Sequence, residues 1–463
     1  MRTAGGKLTF PRGGVARRGA GPRARPGLTF PRGGVHPLER KELTEHLPLV
    51  VSDPPAQVAV LMLQHIGAPA RPVVARKDAV KKGQLIGEAQ GFISANVHSP
   101  VSGVVQRIED RIHNPTGRMV PAVVIENDGR EQWADGCNEP QDSDSLSPQQ
   151  MVALVQQAGV VGLGGAAFPT HVKLTPPAQS PVKDVIINGS ECEPYLTCDH
   201  RLMLERAGEV VDALRLIMRI VGAANGHIGV EDNKPDALEL LAKAADSENH
   251  IRVLPLKVKY PQGAEQQLIA AITGREVPSG GGLPSDVGCL VHNVATALAI
   301  RDAVRLRRPL IERPLTVSGE GVLKPGNFVE RIGTSIRSII ERQGVCDDAN
   351  VLMVGGPMMG VAQSVPDVPL IKGNSGIVVQ CAQEPHPQRA CIRCGRCVEH
   401  CPLGLVPSDL SMMCEKMDWD AALAIGLTEC KECGCCAYVC PSRRRIVQQI
   451  RFGKAELAKK KKK

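Results

Sequence analysis

Aromatic residues are scarce in this 463-residue chain, which contains Phe 6, Tyr 3 and Trp 2. Proteins that bind single-stranded nucleic acid stack bases on aromatic side chains, so this composition argues against nucleic acid as a partner. Long apolar runs are also missing. The longest stretch without a charged residue, residues 145–172, is interrupted by glutamines, glycines and Pro169, which is not typical of a membrane span. The first residues lack the apolar segment of a secretory signal, so we expect no such leader.

Positive charge is concentrated at the two ends of the chain. The formal net charge is +8, yet residues 1–26 hold seven lysines and arginines without an acid, and residues 459–463 are all lysine. The remaining body is mildly acidic, which argues against a nucleic-acid footprint on a folded face. We expect the first segment to be a basic disordered arm and the last to be a basic tail.

The octapeptide LTFPRGGV occurs twice, at residues 8–15 and 28–35. The second copy leads into a regular sequence and is the predicted start of the first domain. Short β-like segments separated by turn residues then occupy residues 71–110 and resemble a biotinyl/lipoyl barrel-sandwich. A carrier domain would have a lysine at the central hairpin, here residues 91–96, and none is present, so we expect a structural role.

Helix and strand signals alternate in the middle of the chain. Ser147 to Gln150 form a capping box with Pro148 at the first helical position, and Gly159 supplies a stop signal. A strand at residues 184–187 and an apolar helix at residues 210–221 follow, which favours an α/β core. The pattern after this core resembles a small β-grasp module.

Eight of the sixteen cysteines form two copies of the pattern C-x2-C-x2-C-x3-C-P, offset by 39 residues at every position. In two-cluster ferredoxins, three cysteines of such a run bind one [4Fe-4S] cluster and the fourth binds the other. We therefore predict two clusters with crossed ligation. The predicted ligands are Cys391, Cys394, Cys397 and Cys440 for one cluster, and Cys430, Cys433, Cys436 and Cys401 for the other.

Two four-cysteine zinc sites are the competing interpretation of these runs. Zinc knuckles need C-x2-C and leave the third cysteine and the proline of each run without a role. Residues 402–429, between the runs, have a helical pattern that favours a helical two-cluster domain. Cys381, Cys414 and Cys435 break the offset and are predicted to be spare thiols. Without a secretory signal, this cysteine usage indicates metal ligation in a reducing compartment.

A glycine-rich loop, GLGGAAFPTHVK, occupies residues 162–173. Its small residues would let a ligand approach backbone amides, and Lys173 could neutralise a phosphate, although tight packing explains such a loop equally well. NGSECEP at residues 188–194 follows the predicted strand, where carboxylates and amides can bind nucleotide hydroxyls. Residues 260–265 and 292–296 supply further polar groups. A zinc site formed by Cys192, Cys198 and His200 is an alternative without a nearby fourth ligand.

The segments GLGGAAFPTHVK, NGSECEP, YPQGAEQQLI and HNVAT, in this order before two ferredoxin runs, resemble the C subunit of the Rnf electron-transport complex. The opening LTFPRGGVHP resembles that family's start, and the flavin part is also similar to the NADH-binding subunit of respiratory complex I. The resemblance implies a noncovalently bound FMN and NADH as the substrate, stacked near Phe168 with Glu193 close to its ribose. The residues implied in FMN binding are Gly162, Gly164, Gly165, Lys173, Asn188, Glu191, Gly263, Glu265, Asn293 and Thr296.

The resemblance also implies a role in electron transfer. A peripheral subunit on the cytoplasmic side of the inner membrane would exchange hydride between NADH and FMN, and pass single electrons through two clusters. The partners would be membrane subunits of an Rnf-type complex and, through the complex, ferredoxin or flavodoxin. Two alternatives remain open: a soluble flavin and iron-sulfur corrinoid reductase, and a noncatalytic two-cluster wiring module. No catalytic side chain is predicted in any of these hypotheses, because the chemistry belongs to the cofactors.

The predicted fold is therefore a multidomain α/β protein. The predicted parts are a basic arm (1–26), a barrel-sandwich-like β domain (27–140), an FMN- and NADH-binding α/β core (141–312), a small β-grasp module with a return to the core (313–384), a helical two-[4Fe-4S] ferredoxin domain (385–452) and a basic tail (453–463).

Overall fold

The computed structural model describes residues 28–381 and 387–460. The first octapeptide copy, the predicted basic arm, the predicted boundary at residues 384–385 and residues 461–463 lie outside the described residues. Within the described ranges, no helix combines the length and the apolarity that crossing a bilayer requires.

The first domain consists of two small antiparallel sheets, as its short β-like segments predict. Their strand orders are β2-β8-β7-β4 and β3-β5-β6. Alternate residues such as Val58 and Val60 of β2 enter a shared core with Val123 and Ile125 of β8, because successive side chains of a strand face opposite sides. Strand β1, which precedes this domain, joins a different sheet. The strands are β1 Leu49–Val51, β2 Gln57–Leu61, β3 Arg71–Pro72, β4 Ala79–Val80, β5 Leu85–Glu88, β6 Val97–His98, β7 Gly103–His113 and β8 Arg118–Asn127.

The central part is an α/β core around a parallel sheet with strand order β11-β10-β9-β12. Residues 185–187 of β9 are all fully buried, as is typical of a parallel strand covered on both faces. Its strands are β9 Asp184–Gly189, β10 Asn225–Glu231, β11 Ile251–Leu256 and β12 Cys289–Asn293. Its helices are α1 Pro148–Gln157, α2 Thr170–Lys173, α3 Cys198–Glu205, α4 Ala207–Val221, α5 Pro235–Ala244, α6 Glu265–Thr273 and α7 Val294–Leu306.

The first core helix begins and ends as its sequence predicts. The Ser147 hydroxyl accepts a hydrogen bond from the Gln150 amide, and the Gln150 side chain accepts one from the Ser147 amide. Gly159, with φ +64°, follows the helix in a conformation that glycine adopts without strain. The predicted capping box is therefore confirmed, and α1 leads directly into the glycine loop.

A mixed six-stranded sheet follows the core, with strand order β1-β14-β13-β17-β15-β16. Its edge strand β1 pairs in parallel with β14, so the sheet uses residues from well outside the predicted module at 313–384. Helix α8 buries Ile336 and Ile339 in the same cluster as Leu315 and Ile377 of the sheet. The new elements are β13 Glu312–Ser318, β14 Gly326–Arg331, α8 Ile336–Gln343, β15 Ala349–Val354, β16 Val361–Ala362 and β17 Gly376–Cys381.

The cysteine-rich segment is helical, and its backbone repeats with the same offset as its sequence. The short helices α9 and α12 occupy equivalent positions, and the longer helices α10 and α13 begin at equivalent positions. The elements are α9 Arg396–Glu399, α10 Pro407–Glu415, α11 Trp419–Ala424, α12 Cys435–Tyr438 and α13 Ile446–Lys460. Residues with positive φ repeat too, in the pairs Arg393 and Glu432, Gly395 and Gly434, and Gly404 and Arg443. The predicted tail at 453–463 begins inside α13.

The second octapeptide copy connects the core to the cysteine-rich segment. Leu28 forms a parallel bridge with Leu256 at the edge of β11, and Val35 exchanges two backbone hydrogen bonds with Tyr260. Tyr260 itself donates its hydroxyl to the carbonyl oxygen of Cys433 at 2.7 Å. The segment is therefore part of the fold, and these contacts are with the α/β core, whereas the sequence predicted it as the start of the barrel-sandwich domain.

Two glycines of this octapeptide allow close approach to the first cysteine run. The amide of Gly34 donates to the carbonyl of His400 at 3.0 Å. Gly33 has φ +62°, and a Cβ at this position would lie 2.6 Å from the carbonyl carbon of Cys401. Any larger residue would both strain the backbone and push the two segments apart.

Candidate functional site

The predicted cofactor residues converge at the carboxyl-terminal edge of the parallel sheet. Asn188 near the end of β9 is paired with Asn293, the last residue of β12. Open α/β sheets bind their ligands outside this edge, where loops that follow neighbouring strands meet. The glycine loop and the amino-terminal end of α6 lie at the same edge, as the contacts below establish.

The glycine loop is held from two other elements. The Leu163 amide donates to Oγ1 of Thr296 in α7 at 2.8 Å, and the Leu163 carbonyl accepts from Nη2 of Arg313 in β13 at 2.6 Å. Gly162 closes the loop by donating to the carbonyl of the half-buried Phe168 at 2.9 Å. Arg313 was not predicted from the sequence, because its contact spans 150 residues and no local pattern marks it.

The two exposed glycines of the loop differ in what surrounds them. A Cβ on Gly164 would lie 2.8 Å from the Cβ of Asn293, so the protein itself requires a small residue there. A Cβ on Gly165 would meet no atom within 4 Å. The surface above Gly165 is therefore open, as the predicted approach of a ligand to the backbone needs.

Four predicted residues contact one another in pairs. Lys173 in α2 donates to Oε1 of Glu265, the first residue of α6, at 2.5 Å. Asn188 donates its side-chain amide to the carbonyl of Gly263 at 2.7 Å. These pairs bring the glycine loop, the end of β9 and the loop before α6 to one place.

Asp199 lies among the predicted residues, although the sequence analysis did not single it out. Its Oδ2 accepts from Nδ2 of Asn293 at 2.5 Å, and its backbone amide donates to Glu191 at 2.6 Å. Glu191 also accepts the amide of His200 at 3.2 Å and so caps the first turn of α3. Burial, and then the negative charge of Glu191, raise the pKa of Asp199 to about 6. An acid in the first turn of a helix was the available sequence signal, and it is too common to be decisive.

Glu193 is held by the loop that follows β15. Its two carboxylate oxygens accept the backbone amides of Met358 and Met359 at 3.1 and 2.8 Å. A Cβ on Gly356 would lie 2.3 Å from this carboxylate, so the loop after β15 closes over it. Burial raises the pKa of Glu193 to about 7, against the effect of the two amides. The Glu193 side chain therefore links the carboxyl-terminal edge of the parallel sheet to the loop after β15.

Several buried polar atoms at this edge have no hydrogen-bond partner among the described residues. They are the Ser190 hydroxyl, Asp199 Oδ1, Gln262 Nε2 and His292 Nε2. Burial lowers the pKa of His292 well below its ordinary value, and the nearby Lys173 lowers it further, so this imidazole is neutral. Unsatisfied buried groups are costly, and their concentration at one edge fits a polar ligand such as FMN.

The alternative zinc ligands do not converge. The Cys192 sulfur accepts the amide of Gly263, whereas the Cys198 sulfur donates to the carbonyl of Ser375, each at 3.4 Å. His200 instead contacts Asp236 at 2.8 Å through Nε2. Three side chains with three separate partners do not form a tetrahedral site.

The eight cysteines of the two runs line two separate cavities. A cavity of about 200 Å³ is bordered by Cys391, Cys394, Cys397 and Cys440. A second, much smaller cavity is bordered by Cys401, Cys430, Cys433 and Cys436, together with Cys435. In each cavity the fourth cysteine of one run thus lies beside the first three of the other run. Cys414 of α10, predicted to be a spare thiol, is buried against Gly453 of α13.

Comparison with known families defines the class of protein first. Residues 155–302 match the Nuo51 FMN-binding domain, which covers the glycine loop and the residues that converge with it. Residues 28–130 match the RnfC barrel sandwich hybrid domain, which covers the two antiparallel sheets. The chain is thus an FMN-domain protein with a barrel-sandwich domain at its start.

Relatives then identify the family. The chain is 46% identical to the C subunit of the proton-translocating ferredoxin:NAD(+) oxidoreductase complex of Clostridium ljungdahlii, over 91% of this chain and 93% of the relative. It is 44% identical to the C subunit of the Na(+)-translocating ferredoxin:NAD(+) oxidoreductase complex of Acetobacterium woodii, over 91% and 96%. A solved NAD+-reducing [NiFe]-hydrogenase in the H2-reduced state is 17% identical with a TM-score of 0.47, over 70% and 67%. The chain belongs to the RnfC family, the C subunits of the Rnf, or ion-translocating ferredoxin:NAD+ oxidoreductase, complexes.

Proposed function

We propose that this chain is the electron-input subunit of an Rnf-type complex, where it exchanges a hydride with NADH. The observation that carries this proposal is the convergence of the glycine loop, Asn188, Lys173 and Glu265 at one edge of the parallel sheet. The match of this region to an FMN-binding domain and the names of the relatives support it.

FMN would be held by the residues that converge at this edge. The backbone of Gly162, Gly164 and Gly165 would face the cofactor, with Lys173 as the cation nearest to its phosphate. Other polar groups at this edge would position the remaining parts of FMN, and they belong to Asn188, Glu191, Gly263, Glu265, Asn293 and Thr296. When bound there, FMN supplies two-electron exchange with NADH and one-electron exchange with iron-sulfur centres.

NADH would bind beside the flavin edge, between Phe168 and Glu193. Phe168 is half-buried on the glycine loop and offers a flat apolar face. Glu193 accepts two backbone amides of the loop after β15, and it would therefore hold this loop beside the ribose.

The eight cysteines around the two cavities would bind two [4Fe-4S] clusters with crossed ligation. Four thiols around each cavity, with prolines after Cys401 and Cys440, match the donor set of a two-cluster ferredoxin. The cluster bound by the first three cysteines of the second run would lie on the side of the α/β core, since Tyr260 contacts Cys433 directly.

The partners would be the membrane subunits of the complex and, through them, ferredoxin or flavodoxin. The relatives carry ferredoxin:NAD(+) oxidoreductase in their names and are subunits of translocating complexes. We accordingly propose a peripheral location on the cytoplasmic side of the inner membrane, where NADH and these carriers are available.

An anaerobic NADH titration of the cluster-reconstituted chain tests the function. Bleaching of the flavin absorbance, followed by the EPR signals of reduced [4Fe-4S] clusters, is expected. Clusters without flavin, or flavin that dithionite reduces and NADH does not, would contradict NADH oxidation by this chain. Either result would favour a noncatalytic two-cluster protein that only transfers electrons. Cys440→Ser should remove the cluster of the first run and Cys401→Ser that of the second, whereas Cys346→Ser, outside both cavities, should retain both.

Gly165→Ala tests the flavin contact itself. The added methyl group would meet no protein atom within 4 Å, so the melting temperature of the flavin-free chain should not change. FMN affinity should fall at least about tenfold, equivalent to roughly 1.4 kcal/mol, because the methyl group occupies the space above the loop. Gly208→Ala, which also has open space around its Cβ but lies in α4, should leave FMN affinity unchanged.

A further inference from the structure

The two cysteine runs have the same backbone but different surroundings. A Cβ on Gly434 of the second run would lie 2.8 Å from the loop after β15, and the carbonyl of Cys433 accepts the hydroxyl of Tyr260. The equivalent Gly395 of the first run has no atom of the described residues within 4 Å of its Cβ position, and Cys394 is exposed. The second run therefore faces the α/β core. In the first run the stretch around Gly395 faces solvent, whereas its end, at His400, contacts the octapeptide.

Charge differs between the surroundings of the two cavities. Residues 389–397 and 440–445, which hold the four cysteines of the first cavity, contain six arginines and no acid. Residues 428–436 and 401–406, which hold the four cysteines of the second cavity, contain two glutamates and one lysine. Since the runs are repeats of one another, the second cavity serves as an internal comparison, and the arginines are a property of the first cavity.

Four of these six arginines form no ion pair with any residue in 28–381 or 387–460, whereas Arg393 and Arg444 each pair with an acid. Two of the four, Arg396 and Arg443, border an open groove of about 510 Å³ that also includes Cys440. Unpaired guanidinium groups in a groove next to a cysteine site offer binding to a negatively charged surface.

Exposed apolar side chains accompany the charges. Ile392 is 67% exposed and Tyr438, which borders the same groove, is 52% exposed. Apolar groups surrounded by cations are typical of protein docking surfaces, where the apolar centre supplies contact area and the charges guide encounter.

We propose that this arginine face, formed by Ile392, Arg393, Arg396, Tyr438 and Arg443, docks an acidic single-electron carrier protein. Docking at this face makes the cluster of the first cavity the point where electrons leave or enter the chain. The inference rests on the proposed function, because the face is an electron port when its cysteines hold a cluster. A protein carrier fits better than a lipid surface, since the groove is concave and lies directly beside Cys440.

Binding is measured first, without electron transfer. The probes are two carriers of opposite charge, plant plastocyanin, which is acidic, and mitochondrial cytochrome c, which is basic. Each is added as a fluorescent, fully oxidised protein to the cofactor-loaded full chain in the absence of NADH. The Kd for plastocyanin should rise at least about tenfold between 50 and 300 mM salt, because screening weakens exposed charge pairs. Cytochrome c should bind more weakly than plastocyanin at low salt.

Charge reversal identifies the face. Arg396→Glu with Arg443→Glu should weaken plastocyanin binding at least tenfold, and the two Gln substitutions should have an intermediate effect. The matched control is Arg118→Glu with Arg252→Glu, two exposed arginines on β8 and β11 that change the net charge equally. The control should change the Kd less than twofold. Iron content and the EPR spectrum establish that each variant retains its clusters.

Electron transfer provides the second readout. Each NADH is oxidised to NAD+ and a proton, and its two electrons reduce two plastocyanin Cu(II) centres to Cu(I). The reversed variant should slow plastocyanin reduction and accelerate cytochrome c reduction, so that the preference between carriers inverts.

Three results would overturn the inference. The first is an equal change of the plastocyanin Kd in the Arg396/Arg443 and Arg118/Arg252 double variants. The second is a plastocyanin Kd that does not depend on salt. The third is that the Arg396→Glu and Arg443→Glu variant no longer binds phosphatidylglycerol vesicles but binds plastocyanin as the natural chain does. The last outcome would assign the face to a lipid surface. Flavin that NADH fails to bleach would instead count against the proposed function, while the Kd comparison would still decide the docking.

Discussion

Glu193 illustrates how a single side chain can make stability depend on pH. Its pKa is raised from 4.5 to about 7 by burial. Below pH 4.5 the carboxyl is neutral in both folded and unfolded chains. Between pH 4.5 and 7 the unfolded chain loses this proton and the folded chain retains it, so the stability contributed by the neutral form is lost as pH rises.

The substitution Glu193→Gln should therefore stabilise the folded chain, relative to the natural chain, more and more as pH rises. Gln is neutral throughout, so its free energy of unfolding relative to the natural chain should increase on the order of 2–3 kcal/mol between pH 5 and pH 8. Urea unfolding of the flavin-free chain at both pH values measures this difference. A difference that stays constant between the two pH values would contradict the raised pKa of Glu193.

Single residues can be proposed from the sequence where a family segment carries them. Lys173, Asn188 and Glu265 come from such segments, and the structure places Lys173 against Glu265 and Asn188 against Gly263. Asp199 and Arg313 were not identified, because each acts through a partner distant in sequence, Asn293 or Leu163. Local patterns encode turns and caps, and they do not encode which distant carbonyl a buried guanidinium reaches.

At the scale of elements, the glycine loop depends on a helix that follows it by more than a hundred residues. The hydroxyl of Thr296 in α7 accepts the Leu163 amide at 2.8 Å and is buried. Thr296→Val keeps the shape and leaves this amide without an acceptor, at a cost of about 1–3 kcal/mol. We expect FMN affinity to fall roughly tenfold, measured by fluorescence quenching.

Thr296→Ser is the matched control for this prediction. It retains the hydroxyl and removes a methyl group, so its FMN affinity should stay within a few-fold of the natural chain. If Val and Ser reduced FMN affinity equally, the effect would come from packing, and the hydrogen bond to Leu163 would not be what orders the loop.

Elements with strong local signals were predicted well. Helix α1 has a capping box and β9 is a continuous apolar run, and both are present where the sequence predicts them. Strand β1 was not predicted, because three residues carry little pattern and its pairing with β14 joins segments far apart. The extra strand makes the six-stranded sheet noncontiguous in sequence.

At the scale of the whole molecule, Gly33 tests how the core and the cysteine-rich segment are connected. Its Cβ position lies 2.6 Å from the Cys401 carbonyl carbon, and its φ is +62°. Gly33→Ala should displace the two segments from each other. We expect NADH to bleach the flavin normally, while reduction of the EPR-visible clusters slows at least about tenfold, because electron transfer falls steeply with separation.

Gly117→Ala separates this effect from backbone strain. Gly117 has φ +66° and open space around its Cβ position, so alanine there imposes a comparable strain without displacing a neighbour. Cluster reduction should remain fast in this variant. Equal slowing in both variants would show that strain, and not the contact with Cys401, is responsible.

The surroundings of the two cysteine runs were not predictable from the sequence. The repeat of 39 residues was evident in the cysteines, and the backbone extends it to helix starts and positive φ values. What the sequence did not reveal is that the second run faces the α/β core, whereas the stretch around Gly395 in the first run faces solvent. That difference arises from contacts such as that between Tyr260 and Cys433, which join distant parts of the chain.

The octapeptide at residues 28–35 has a consequence for biosynthesis. It is among the first described residues to leave the ribosome, yet the carbonyl that Gly34 contacts belongs to His400, about 370 residues later. The barrel-sandwich domain and the α/β core can form while translation continues, whereas this contact has to wait until the chain is almost complete. Residues 28–35 can therefore pair with the α/β core before they contact His400, and joining the core to the cysteine-rich segment becomes a late step of maturation.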